Sequence, residues 1–229
     1  MHSDSMTKIV YGLLIGVVVM GLFNSYSLSM VGARGMGSMQ GAIVAPQAGQ
    51  AQTAAAAAVK GPDVIPKGIP EIYGKELGVS YDDVSAADQA KAEVTIKKLG
   101  VLDQKLKLSG ADKERYISIA SMISCEYCCG VESIIFKNGE AACGCAHSFA
   151  MRGLAKYLIL NHANEYTDDQ ILEELGKWKT LFFPAQMTQK AAVLQSKGIE
   201  LNYINLASNK YKGAEKEAGS SAGNMVGGC

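Results

Sequence analysis

Apolar and polar residues are distributed in three distinct regimes along this chain. The first is continuous. From Ile9 to Val31 the sequence IVYGLLIGVVVMGLFNSYSLSMV holds no charge. As a helix this segment would be about 35 Å long, enough to cross a bilayer with some tilt. A soluble amphipathic helix would show polar residues every third or fourth position, and none appears before Asn24. Its first part, Ile9 to Phe23, also has the length of a signal-peptide core. The apolar character continues past Phe23 and no A-x-A follows, which favours an uncleaved anchor. Lys8 precedes the span and Arg34 alone follows closely, so charge asymmetry favours a cytoplasmic N-terminus and a C-terminal part outside.

The second regime, residues 32–67, is rich in Gly, Ala, Gln and Pro and reads as a flexible linker. The third, residues 68–212, brings periodic apolar positions, aromatics and charges together, as expected of one domain. Within it SAADQAKAEVTIKKLG reads as a helix from a Ser85 cap to a Gly100 stop. SGADKERYISIASMIS reads as a second helix with Tyr116, Ile119, Ala120 and Ile123 on one face, leading into Cys125. VESIIFKNGEAAC alternates around Asn138-Gly139, a β-hairpin signal. AHSFAMRGLAKYLILNHA is a third helix, with Phe149, Leu154, Tyr157, Leu158 and Leu160 on its buried side. A capping box at Thr167 and Gln170 opens a fourth, which ends at Pro184, and Gly198 stops a fifth. The expected fold class is mostly α with one small β-hairpin: an N-terminal transmembrane helix, a linker and a compact, Cys-rich, treble-clef-like helical domain. Residues 1–8 would be cytoplasmic, and 213–229, low in apolar content, would form a disordered tail ending in Cys229.

Charge changes the picture by exclusion. The 229 residues carry 22 basic and 22 acidic side chains, a formal net charge of zero, so nothing electrostatic argues for nucleic acid as a partner. No hydrolytic triad, phosphate loop or nucleotide fingerprint is visible, and no catalytic residue is assigned.

The candidate chemistry lies in cysteine. Five of the six cysteines fall between Ser124 and Gly153, spaced Cys125-x2-Cys128-Cys129 and Cys143-x-Cys145-x-His147. Thiols on a tight turn, a hairpin, then ligands at a helix start form the layout of a treble-clef-like zinc site. Gly130 would permit the turn. Thiolates at a helix start gain from its dipole and free N–H groups. Zinc needs four ligands and six candidates are present: Cys125, Cys128, Cys129, Cys143, Cys145 and His147. CxC and adjacent cysteines also suit Cu(I), and four thiols would serve an iron–sulfur cluster. The competing reading is disulfide bonding in an oxidising compartment, with Cys229 as a possible cross-link between chains. His162 lies at the far end of the third helix and is not a ligand. Arg152 and Lys156 read as a solvated face, Asp168, Asp169, Glu173 and Glu174 as surface acids, and Trp178 and Phe182 as core.

From about Ser109 to Trp178, CEYCC…CGCAHSFAMRGLAKYLI…TDDQILEELGKW resembles prokaryotic extracytoplasmic proteins with a PCYCGC motif. That resemblance implies metal binding, with Cys125, Cys128, Cys143 and Cys145 as ligands. The same stretch, ending near FFP, is similar to the thiol reductase of cytochrome c maturation, which implies redox chemistry on a membrane-anchored helical hairpin. The whole chain resembles hypothetical membrane-anchored proteins of small archaea. Three functions follow. The first is a membrane-tethered, extracytoplasmic metal-binding domain, holding zinc or copper as structure or cargo. The second is a membrane-tethered thiol–disulfide oxidoreductase using Cys125/Cys128 or Cys143/Cys145. The third is a surface or filament subunit that self-associates or binds a protein partner.

Overall fold

The computed structural model describes residues 61–219 and 225–227. All of them belong to one compact unit, Ala54–Cys229. The apolar segment 9–31 and Cys229 lie outside the described residues. Among the described residues no helix is long and apolar enough to cross a membrane.

The described chain is helical. A short α1 (Gly74–Leu77) and a 3-10 turn (Tyr81–Asp83) lead to α2 (Gln89–Lys105) and α3 (Gly110–Ala120). After the cysteine-rich loops come α4 (Ala146–Asn161), α5 (Asp168–Phe182), α6 (Pro184–Ser196) and α7 (Tyr203–Ala207). The expected Thr167/Gln170 capping box is formed at the start of α5. Pro184 stands at the first position of α6, where its missing N–H costs no helical bond. Gly198, at φ +69°, follows the end of α6.

α4 is the central helix, packed against α2, α3 and α5. Ala150, Met151, Leu154, Ala155 and Leu158 are fully buried along it, whereas Leu160 is 40% exposed. α2 does not stop at Gly100 as expected. It is capped by Asp88, not Ser85, and continues to Lys105. The reason is close approach. A Cβ at position 100 would come within 3.3 Å of the Phe149 Cβ. A Cβ at Gly153 in α4 would overlap the Leu99 carbonyl oxygen and lie 2.8 Å from the Asp103 nitrogen. The missing side chains let two helix backbones meet, and that contact outweighs the weak helix propensity of glycine.

The β-hairpin is corrected by the structure, and the treble-clef-like arrangement with it. There is no strand among the described residues. Asn138-Gly139 does make a turn, with Gly139 at φ +84° and its N–H donating to Phe136 O at 2.9 Å. The pairing then shrinks to an isolated bridge between Ile135 and Ala141. Two backbone bonds cross the turn, Phe136 N to Glu140 O (2.8 Å) and Ala142 N to Ile134 O (3.1 Å), and the neighbouring groups are engaged elsewhere. Arg152 Nη1 donates to Cys143 O (2.8 Å) and Ile134 O (3.3 Å), Ser133 Oγ donates to Ile135 O, and Ile134 N donates to Ile123 O. A guanidinium thus bridges the two sides where the backbone pairing ends.

That guanidinium corrects a second expectation. Arg152 is 1% exposed and pairs through Nε with Asp103 Oδ2 at 2.9 Å, while Lys156 meets Asp103 Oδ1 at 2.7 Å. Neither forms a solvated face. Glu174 is likewise buried, not a surface acid. Its carboxylate accepts from Tyr73 (2.7 Å), Tyr81 (2.5 Å) and Lys177 (2.7 Å), and Trp178 Nε1 donates to the Tyr73 hydroxyl. Trp178 and Phe182 are fully buried core residues, as expected.

Candidate metal centre

α3 delivers the chain to Cys125, and the loop then closes tightly on itself. The N–H groups of Cys128 and Cys129 both donate to Cys125 O at 3.3 Å, and Gly130 leaves the turn at φ +65°. On the other side of the site Cys145 is the N-cap of α4, its sulfur accepting from the Ser148 amide at 3.4 Å. His147 is in the first turn of the same helix and is fully buried.

The six sequence candidates converge, but not as one equal set. The sulfurs of Cys125, Cys128 and Cys145 and a ring nitrogen of His147 lie within 4.8 Å of one another and could hold a metal ion. Cys129, Cys143 and Cys145 form an overlapping group at the same spacing. Within it Cys129 and Cys143 are joined as a disulfide. Cys125 and Cys145 are buried free thiols, their sulfurs 3.5 Å apart. A tetrahedral zinc ~2.3 Å from each of its sulfurs would separate them by ~3.8 Å, close to that spacing.

His147 supplies the most specific feature. Its Nε2 is 2.8 Å from Val226 O. A carbonyl only accepts, so Nε2 carries the proton and Nδ1 carries the lone pair. Nδ1 is buried without a hydrogen-bond partner. The ring is wedged between Phe182 and Phe183, with centroids 4.7 and 5.0 Å away. One nitrogen tied to a backbone carbonyl and the other left bare is how a metal-bound imidazole is oriented.

The electrostatics favour negative sulfur. The hydrogen bond from the Cys125 thiol, helped by His147 and by the Ser148 hydroxyl and amide, outweighs burial and pulls the Cys145 thiol down to about 3. The same bond, together with burial, pushes Cys125 far up, so the two sulfurs hold one proton between them. Behind them Glu126 lies between two fully buried ammonium groups, Lys179 at 3.2 Å and Lys190 at 3.3 Å. Two cations against one carboxylate leave a positive charge in excess, and Lys179 favours the charged form of Cys125.

His162 is the C-cap of α4 and contacts Glu165 and Glu76, away from the cysteines. Glu126, Lys179, Lys190 and Val226 had no part in the sequence reading of the site. Glu126 adjoins Cys125 in the chain, a clue to its position. The two lysines, placed on separate helices, gave none.

No protein-family model matches this chain, and neither the curated proteins nor the solved structures yield a significant match.

Proposed function

We propose that this protein is a membrane-tethered metal-binding domain facing outside the cytoplasm, with zinc as its ion and Cu(I) as the competing one. Cys125, Cys145 and His147 Nδ1 hold the metal; the Cys128 sulfur lies beside them, itself engaged in a disulfide until reduced. The observation that carries this reading is the convergence of His147, its Nδ1 buried and its ring acting on the Cys145 sulfur, with a cluster of sulfurs. Thiolate and imidazole donors suit zinc, and a set richer in sulfur shifts the preference towards Cu(I). The bound ion would link the Cys125 loop to the start of α4, and the buried lysines would offset the thiolate charge. The uninterrupted apolar segment 9–31 supports the tether.

The test is elemental analysis and zinc titration of the full chain purified in detergent under reducing conditions. The expected result is about one zinc per chain, with affinity falling about 10–100-fold in His147→Ala. A chain that arrives without metal and takes up neither zinc nor Cu(I) sinks the proposal.

A second reading has its own observation. The Cys145 sulfur, the more acidic of the free pair, lies within 4.8 Å of the sulfurs of the Cys129–Cys143 disulfide. Attack by Cys145 on that bond, followed by closure of a Cys125–Cys145 disulfide, would leave Cys129 and Cys143 as thiols, with both electrons kept inside the protein. This thiol–disulfide oxidoreductase predicts that Cys125→Ser accumulates a mixed disulfide involving Cys145. It also predicts that metal-free protein exchanges with small disulfides.

A further inference from the structure

A second feature lies on the other side of Arg152, away from the sulfurs. α2, α3, α4 and the Asn138-Gly139 turn enclose a cavity of about 310 Å³. Lys107, Lys113, Arg152 and Lys156 line it against two acids, Asp103 and Glu140, so positive charge is in excess by two. Asp103 is already engaged by Arg152 and Lys156. Lys107 and Lys113 are exposed at its rim.

Two of the side chains that line it each carry a buried polar atom without a partner. Three bonds occupy Arg152 Nε and Nη1, while Nη2 makes none. The Tyr116 hydroxyl, on a side chain 2% exposed, is also unpaired. A guanidinium donates only and cannot shed its proton, so a bare Nη2 calls for an acceptor. A tyrosine hydroxyl can donate to that same acceptor. Phe149 stacks under the guanidinium at 4.6 Å and holds its plane, and the Lys156 ammonium lies 5.6 Å from the Tyr116 ring centre.

We propose that this cavity is a binding site for a small oxyanion, a carboxylate or phosphate group, whose oxygens accept from Arg152 Nη2 and the Tyr116 hydroxyl under the field of the surrounding lysines. Charge-assisted bonds to a planar guanidinium are the strongest available recognition for such groups. Free phosphate and an organic acid share this chemistry. The site does not depend on the metal reading, because none of its groups touches the ion's proposed donors.

The test is calorimetric titration of the full chain in detergent with inorganic phosphate and, separately, with succinate, each against chloride at matched ionic strength. The expected result is saturable binding of at least one, weakened about tenfold in Tyr116→Phe, which removes a single oxygen. Lys113→Gln, at the exposed rim, should reduce affinity less and flatten its salt dependence, and it serves if Tyr116→Phe does not fold. Binding of phosphate alone or succinate alone supports the site and assigns its class. The proposal is overturned if neither binds above chloride, or if binding is the same in every folded variant.

Discussion

Lys179 and Glu126 form an ion pair of 3.2 Å with both side chains essentially out of water, one residue along the chain from Cys125. Lys190 shares the same carboxylate. Removing its charge leaves two buried ammonium groups facing each other. Glu126→Gln should therefore destabilise the fold by about 3–5 kcal/mol, the cost of breaking a buried pair from one side. Urea denaturation of the reduced protein measures this. A loss below about 1 kcal/mol would mean that water reaches the lysines.

The same pair sets a pH dependence. Burial brings Lys179 down to about 8 from an ordinary value of 10.5, against the pull of Glu126. Between these values the unfolded chain holds a proton that the folded chain has released. The Lys179 contribution therefore rises with pH from about 8 to about 10 and is lost as pH falls back through 8. The full excursion is about 3 kcal/mol. The stability difference between wild type and Lys179→Met, followed across that window, should rise. A flat difference would show that Lys179 keeps its proton.

Glu174 is the acceptor on which Tyr73, Tyr81 and Lys177 converge. Glu174→Ala should cost about 2–4 kcal/mol, because it strips buried hydroxyls of their acceptor as well as removing a carboxylate. Tyr81→Phe removes one bond and should cost about 1 kcal/mol. Thermal unfolding of the two variants gives the ranking, and equal losses would contradict it.

Gly153→Ala inserts a methyl group where the Leu99 carbonyl oxygen already stands. Backbone cannot swing aside as a side-chain tip can. The loss should reach or exceed the about 1–3 kcal/mol usual for overpacking. Gly144→Ala, where no atom lies within 4 Å of the added carbon, is the control and should be nearly silent in the same denaturation assay.

If the centre is filled by metal, chelation should act locally. Trp178, Phe182, Leu154 and Leu158 belong to the same buried cluster as Cys125, Cys143 and Cys145, but most of that cluster is made of other apolar side chains. Helical circular dichroism should persist after chelation, while amide exchange should quicken in the Cys125 loop and the first turn of α4. Global unfolding on chelation would instead assign the metal a fold-forming role.

Much of this fold was legible from local signals. The Thr167 capping box, the Gly198 stop and the buried Trp178 and Phe182 depend on near neighbours in sequence. Gly100 was misread because a glycine that ends a helix and one that admits a second helix look alike until Phe149 is placed against it. The hairpin failed for a similar reason. Asn138-Gly139 specified its turn, but the pairing on either side stops after two backbone bonds, where Arg152, a residue read as solvent-facing, takes up Ile134 O and Cys143 O. Charged residues at helical spacing are usually outside, and Arg152, Lys179, Lys190 and Glu174 became interior only through partners far along the chain. The convergence of the cysteines and His147 was visible in their spacing. The division into three disulfide-bonded cysteines, Cys128, Cys129 and Cys143, and a free pair was not, since spacing alone does not choose which sulfurs meet.

The bond from His147 to Val226 spans 79 residues. During synthesis the cysteines and the imidazole therefore emerge long before the carbonyl that fixes the ring. Until residue 226 has folded back, with its own N–H on Phe182 O at 2.9 Å, either nitrogen of His147 can carry the proton. The centre thus acquires a single donor geometry late, after the residues of α5 and α6 have been made. If the centre holds an ion, one captured earlier would meet a looser, more exchangeable set of ligands than the one the finished chain presents.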